Sequence, residues 1–173
     1  MHYIIVGKGA SGKDWLQKRM VRKGLRPMRQ YTTREIRETE IGDEYHFISY
    51  DEYKAMEDRG KFISSNFYHT GWYAISMDEL ENSDVAILSP ANVKDLFGKF
   101  PDFRSECMVV YLDIPLHVRR SRLAKRYTNR VGDDNERRIA ADEQDFMDFS
   151  VFDIRLTTVE SINNFAKSFQ EIG

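Results

Sequence analysis

The chain has a single cysteine among 173 residues, Cys107, so no disulfide can close within it. Cys107 stands in the apolar run CMVVYL and reads as a small buried hydrophobe, in keeping with a reducing, cytoplasmic setting. The four histidines, His2, His46, His69 and His117, are scattered without metal-ligand spacing. No apolar run approaches the length of a membrane span, and no basic segment precedes the first apolar run, so neither an anchor nor a secretory leader is expected. An excess of charge of one sign is lacking too. Lys and Arg number 26 against 28 Asp and Glu, and the net charge of −2 argues against bulk binding to nucleic acid or anionic lipid. Repeats, low-complexity stretches and linkers are absent. What remains is an ordinary globular composition, 41% hydrophobic and 31% charged. It is long enough for one domain with a substantial core and a small insertion.

Hydrophobic patterning gives the plan. YIIV (3–6) is a short apolar run ended by glycine, the mark of a buried strand. DVAILS (84–89) and ECMVVYLDI (106–114) are two more, and VFDIRL (151–156) is a short fourth. Helical spacing is expected over 13–23, 51–60, 90–100, 115–127, 133–149 and 158–171. The middle of the chain alternates aromatic and polar residues, most clearly in KFISSNFYHTGWYAIS (61–76), which predicts a hairpin. The fold class is therefore α/β: a parallel sheet flanked by helices, with a β-rich insertion. One domain is expected over 1–173, with its core at about 1–29 and 82–173, the insertion at about 30–81 and a helical lid at about 119–147.

The first motif is VGKGASGKD, directly after the first strand. Gly7, Gly9, Ala10, Ser11, Gly12 and Lys13 fit the phosphate-gripping loop G-x-x-x-x-G-K-[ST] up to its last position. Glycines let such a loop curl its N–H groups toward phosphate oxygens, the lysine adds a point charge, and the following helix adds its positive dipole end. The strand before and the helix after make the match fairly specific, and ATP is the expected ligand. The last position holds Asp14 where a hydroxyl is usual. Two readings stay open. The carboxylate is favoured by the helix dipole in any case, and it is also a candidate ligand for Mg²⁺, which prefers such oxygens.

The second cluster is YTTREIRETEIGDEYHFIS (31–49). Arg34, Arg37 and Tyr45 offer two guanidinium groups and a phenol, a suitable fork for a monophosphate dianion; a solvated charged loop is the plainer alternative. The third is a basic stretch from 119 to 138 with eight Lys or Arg against Asp133, Asp134 and Glu136, more positive charge than a surface helix laced with ion pairs needs.

The order P-loop, T-T-R-x-x-R, G-x-x-Y-x-F and a tyrosine-bearing hairpin resembles the guanylate kinase family over nearly the whole chain. The resemblance implies that the insertion is the domain that binds a nucleoside monophosphate. It implies that Arg34, Arg37, Tyr45 and Tyr73 hold the acceptor phosphate and that Lys13 is the P-loop lysine. SRLAKRYTNR and ERRIAA resemble the family's lid segments, which carries Arg122, Arg126 and Arg138 over as lid arginines, with Arg130 as a spare. The positions that read guanine depart from the pattern. A family glutamate falls on Ser64, a serine on Gln30, the hairpin's glycine and serine on Ala74 and Ile75, and an acidic D-x-D on Ser89 and Ala91. Altered base preference is expected, with Gln30 and Ser64 near the base and Phe67, Tyr68, Trp72 and Tyr73 as stacking candidates. Asp14 is a candidate to supply the charge that D-x-D would have given.

The expected activity is in-line transfer of the ATP γ-phosphoryl group to a nucleoside or deoxynucleoside monophosphate, with Mg²⁺ as cofactor and small-molecule nucleotides as partners; neither nucleic acid nor a membrane is expected as a partner. Three rivals stand beside it. A ribose bisphosphate kinase shares the resemblance and can end its loop in G-K-D, but tends to lose the counterparts of Arg37 and Tyr45. A non-catalytic guanylate kinase-like binding module would have a degraded P-loop. A regulatory GTPase would need an N-K-x-D motif, which is missing.

Overall fold

The computed structural model describes residues 1–36, 42, 45–68, 71–126 and 132–169. β1 (His2–Gly7) leads into α1 (Lys13–Val21). Then come β2 (Gln30–Thr32), β3 (Tyr45–Phe47), α2 (Tyr50–Asp58), β4 (Phe62–Tyr68), β5 (Gly71–Ser76) and the short α3 (Met77–Glu81). β6 (Val85–Ile87), α4 (Pro90–Lys99), a 3₁₀ turn (Pro101–Glu106) and β7 (Cys107–Leu112) follow. α5 (Leu116–Arg126), α6 (Gly132–Asp145), β8 (Ile154–Leu156) and α7 (Val159–Lys167) close the described chain.

The strands form two sheets. The central one is parallel, in the order β6-β1-β7-β8. Its alternating side chains feed two cores. Ile4, Val6, Val109 and Tyr111 pack on one face with Val93 and Leu96 of α4 and with Phe146 just beyond α6. Ile5, Val110 and Leu112 pack on the other with Leu16 and Met20 of α1 and Ile162 and Ala166 of α7. Each such aliphatic chain, fully withdrawn from water, contributes on the order of 1.5–3 kcal/mol. Helices on both faces explain why these strands are apolar runs rather than alternations. Cys107 belongs to the first core, and burial pushes its thiol up to about 12, which makes it inert.

The second sheet has the order β3-β2-β5-β4 and is built from the β-rich middle of the chain. β4 and β5 form the expected antiparallel hairpin, whereas β2 and β3 run parallel. Ile63 and Ile75 join the first core and seat this sheet against the central one. The helix after β3 starts with a capping box: Ser49 Oγ accepts from the Glu52 N–H while Glu52 Oε2 accepts from the Ser49 N–H at 2.8 Å. Ser49→Ala removes one half of it. The expected cost is about 1 kcal/mol, seen as a melting temperature lower by about 2–4 °C for a chain of this size.

Candidate active site

Two cavities flank the loop after β1, and Lys13 lines both. The loop turns where Gly12, the N-cap of α1, takes φ 108°, a left-handed conformation that suits glycine. Lys13 Nζ donates to the carbonyls of Gly7 at 2.6 Å and Lys8 at 3.2 Å, so the ammonium is folded back over the mouth of the loop. The Ser11 hydroxyl is fully buried and has no hydrogen-bond partner among the described residues.

The first cavity, of about 550 Å³, opens between the loop, α5 and α7. Lys13, Asp14 and Trp15 line its α1 side, Arg122 and Lys125 its α5 side, and Asn163 its α7 side. Arg122 NH1 donates to the carbonyls of Ala10 at 2.9 Å and Ser11 at 3.0 Å, which ties α5 to the phosphate loop. Asp14 is exposed in the first turn of α1 and stands at the rim of this cavity.

The second cavity, of about 350 Å³, lies between the two sheets. Gly7, Lys13 and Asp142 bound one part of it, and Gln30, Asn66 and Asn92 another. Tyr45 and Tyr73 also line it, with their rings edge to face at 5.7 Å. Arg34, only 5% exposed, donates from Nε to the Tyr73 hydroxyl at 3.0 Å and from NH1 to the Glu35 carbonyl at 2.8 Å. Its guanidinium carbon lies 5.1 Å from the Tyr45 ring and 5.2 Å from the Phe47 ring. Stacking and hydrogen bonding together fix the orientation of this cation. Gly71 allows the close approach: a Cβ there would come within 2.6 Å of the Arg34 backbone nitrogen. Gln30 donates to the Ile87 carbonyl at 3.1 Å across the gap between the sheets. Ser64 is buried behind Asn92, 3.0 Å from its Oδ1.

The helix α6 closes on the phosphate loop with carboxylates. Asp142 Oδ2 accepts from the Gly9 N–H at 2.7 Å. Glu143 pairs with Lys8 and with the fully buried Arg119, and these two cations hold its carboxyl below the usual range. Arg119 is anchored in turn by the Ile114 carbonyl at 3.1 Å. A further acid, Asp113 just after β7, accepts from Arg155 and from the Tyr111 hydroxyl. Partial burial pushes its carboxyl up, but those two donors prevail and hold it low.

Several residues singled out in the sequence sit elsewhere. Arg37 and Arg130 lie outside the described residues, and Arg126 ends α5 with its side chain outside them. Arg138 is exposed on α6 and does not line either cavity among the described residues. Phe67 and Trp72 are corrected as stacking candidates. Strand alternation turns them to the face opposite Asn66 and Tyr73, where Trp72 stacks on Tyr53 at 5.3 Å. The side chain of Tyr68 is outside the described set. Trp15, Asn66, Asn92 and Asp142 escaped the sequence reading, because none belongs to a site motif and each reaches its cavity only through the packing of separate elements; Lys125 shows in the sequence only as part of the basic stretch.

A family model described as guanylate kinase matches residues 1–172. The guanylate kinase of Geobacter metallireducens is 38% identical over 82 residues, which are 46% of this chain and 40% of that one. The guanylate kinase of Wigglesworthia glossinidia brevipalpis is 26% identical over 178 residues, covering 96% of this chain and 84% of that one. Among solved structures, the guanylate kinase of Anaplasma phagocytophilum superposes with a TM-score of 0.62 at 12% identity, over 96% of this chain and 80% of that one; the likeness shows a shared fold.

Proposed function

The chain belongs to the guanylate kinase family, and from that premise we propose that it transfers the γ-phosphoryl group of Mg-ATP to a nucleoside or deoxynucleoside monophosphate. The observation that carries the proposal is Lys13 lining both cavities, so one ammonium reaches the donor phosphates and the acceptor phosphate at once. The larger cavity takes ATP, with Trp15 and Asn163 beside the nucleoside and the N–H groups of Gly9 to Lys13 toward the phosphates. The smaller takes the acceptor, with Arg34, Tyr45 and Tyr73 at its phosphate and Arg37 as a further cation. The β-rich insertion is then the acceptor domain, and α5 and α6 with their connection are the lid.

The acceptor phosphate needs no general base, since its second pKa is about 6. The residues act by alignment and charge. Arg34 holds the acceptor phosphate in line, Lys13 spans donor and acceptor, and Arg122, with Arg126 and Arg138 as further lid candidates, brings positive charge to the negative charge that spreads over the transferring group. Bound together with ATP, Mg²⁺ would supply neutralisation of phosphate charge. Such an ion is usually held by one or two carboxylates plus phosphate and water, and Asp14 at the cavity rim is a suitable oxygen. Among the described residues no cluster of three or more His, Cys, Asp or Glu offers a fuller protein cage.

Asp142 has a cost for ATP in this scheme, because its carboxylate occupies an N–H of the phosphate loop. Asp142→Asn keeps the size of the side chain and removes the competing charge. Mg-ATP binding by titration calorimetry is expected to tighten by about tenfold, close to the roughly 1 kcal/mol of a water-exposed charge contact at about 4 Å; unchanged or weaker binding contradicts this role.

The transfer itself is tested by ADP formation from Mg-ATP with and without acceptor. The expected result is turnover that rises steeply on adding a nucleoside monophosphate. ADP formation at the same rate without any acceptor would sink the reading, as would none in either case.

A further inference from the structure

We infer that the acceptor's base is read by neutral carboxamides, Asn92 and Asn66 with Gln30 beside them, as a donor among acceptors rather than by a charged group. The inference rests on the second cavity being the acceptor site. No family match or relative assigns a role to either asparagine.

The two come from different elements. Asn66 is on β4 directly opposite Tyr73, and so shares the cavity face of the second sheet. Asn92 is in the first turn of α4, where its N–H donates to Ser89 Oγ, the N-cap of that helix. The side chains meet: Asn66 Nδ2 donates to Asn92 Oδ1 at 3.1 Å. Ser64, two residues before Asn66, places its hydroxyl 3.0 Å from the same Oδ1 and 2.7 Å from Asp95 Oδ2. Asn92 is 9% exposed and Ser64 7%, so the cluster is a fixed part of the cavity wall and not a pair of mobile surface amides.

The hydrogen bonds decide what each amide presents. Ser64 has one proton, which goes to Asp95 Oδ2 at 2.7 Å, so it is Asn66 Nδ2 that commits Asn92 Oδ1 and leaves its Nδ2 as the group with donors to offer. Asn66 Nδ2 is committed to Asn92 and leaves Oδ1 as an acceptor. Gln30 Nε2 is committed to the Ile87 carbonyl and leaves Oε1 as a second acceptor. A base edge that places an acceptor beside an N–H donor satisfies this set. Thymine, uracil, adenine, cytosine and the O6–N1 side of guanine all have such an edge. A carboxylate would instead select the paired donors of guanine and leave itself unpaired against the others, which is how a buried acceptor enforces strong discrimination. The occupant inferred is a nucleoside monophosphate of more than one base, with no strong guanine preference.

The experiment is titration calorimetry of GMP, AMP, CMP and dTMP, without ATP, into the intact wild-type chain and into Asn92→Asp and Asn66→Ala. Thermal melts confirm that each variant is folded. Wild type is expected to bind at least two of these bases within about tenfold of one another. Asn66→Ala, which removes one acceptor and the neighbour that holds Asn92, is expected to weaken binding of every base by about fivefold to tenfold. Asn92→Asp replaces the Asn92 Nδ2 donor by an acceptor and is expected to shift the GMP-to-AMP affinity ratio toward GMP by about tenfold. Base ratios and affinities unchanged in both variants would overturn the inference, as would wild type that binds GMP alone or none of the four. Failure of the transfer reading would show separately, as absent ADP formation by a chain that still binds these ligands in this pattern.

Discussion

Lys13→Ala is expected to lower kcat for ADP formation by roughly a thousandfold, within the range or slightly above what the loss of one preorganised charge at a transition state costs. The expectation comes from position. Lys13 lines both cavities and is held in place by the Gly7 and Lys8 carbonyls at the mouth of the loop. Negative charge moves from the acceptor oxygen to the bridging oxygen of the leaving ADP during transfer, and a cation that touches both sides gains strength along the whole path. Removal should leave the fold intact, since the side chain is not part of either core. The check is a single-turnover rate at saturating ATP and acceptor, with ATP affinity measured beside it. A rate within fivefold of wild type would remove Lys13 from the centre of the mechanism.

Arg34→Ala is expected to raise the acceptor KM by roughly tenfold to a hundredfold, the loss of a charge-assisted hydrogen bond of about 1.5–3 kcal/mol. The ATP KM is expected to stay within about twofold. That split follows from the guanidinium being oriented by Tyr73, Tyr45 and Phe47 on the second sheet, away from the first cavity. Arg34→Lys is expected to recover little, because a flexible ammonium cannot stack between the rings and bond the phenol with the same fork. Tyr73→Phe separates orientation from charge. It removes the hydroxyl that receives Arg34 Nε and should raise the acceptor KM by about threefold to tenfold with the cation still present. Equal changes in both substrates' KM would mean that Arg34 supports the fold and not the acceptor.

The sequence showed most plainly what is local. The phosphate loop is one unbroken motif between a strand and a helix, and β4 with β5 is one alternating hairpin. Arg34 and Tyr73 stood out by residue type and by family pattern, but their contact joins positions 39 apart in the chain. Three features were hidden by their physics. The five residues of α3 are too few to show helical periodicity; Ser76 caps the helix by accepting from the Glu79 N–H. The parallel pairing of β2 with β3 is not encoded in either three-residue strand alone. The contact of Asp142 with Gly9 spans 133 positions and depends on how α6 docks, and a lone Asp in a charged helix reads as a solvated face. Asn66 and Asn92 gave no signal for the same reason, since an asparagine in a strand and one in a first helical turn are each unremarkable until the fold joins them.

The most direct measurement is ADP formation from Mg-ATP against a full panel of ribo- and deoxyribonucleoside monophosphates, with ribose 1,5-bisphosphate included. Turnover that depends on a nucleoside monophosphate, and that extends to more than one base, is the predicted result. Turnover with ribose 1,5-bisphosphate alone, or none with any acceptor by a chain that binds ATP, would contradict the assignment of the second cavity to a nucleoside monophosphate.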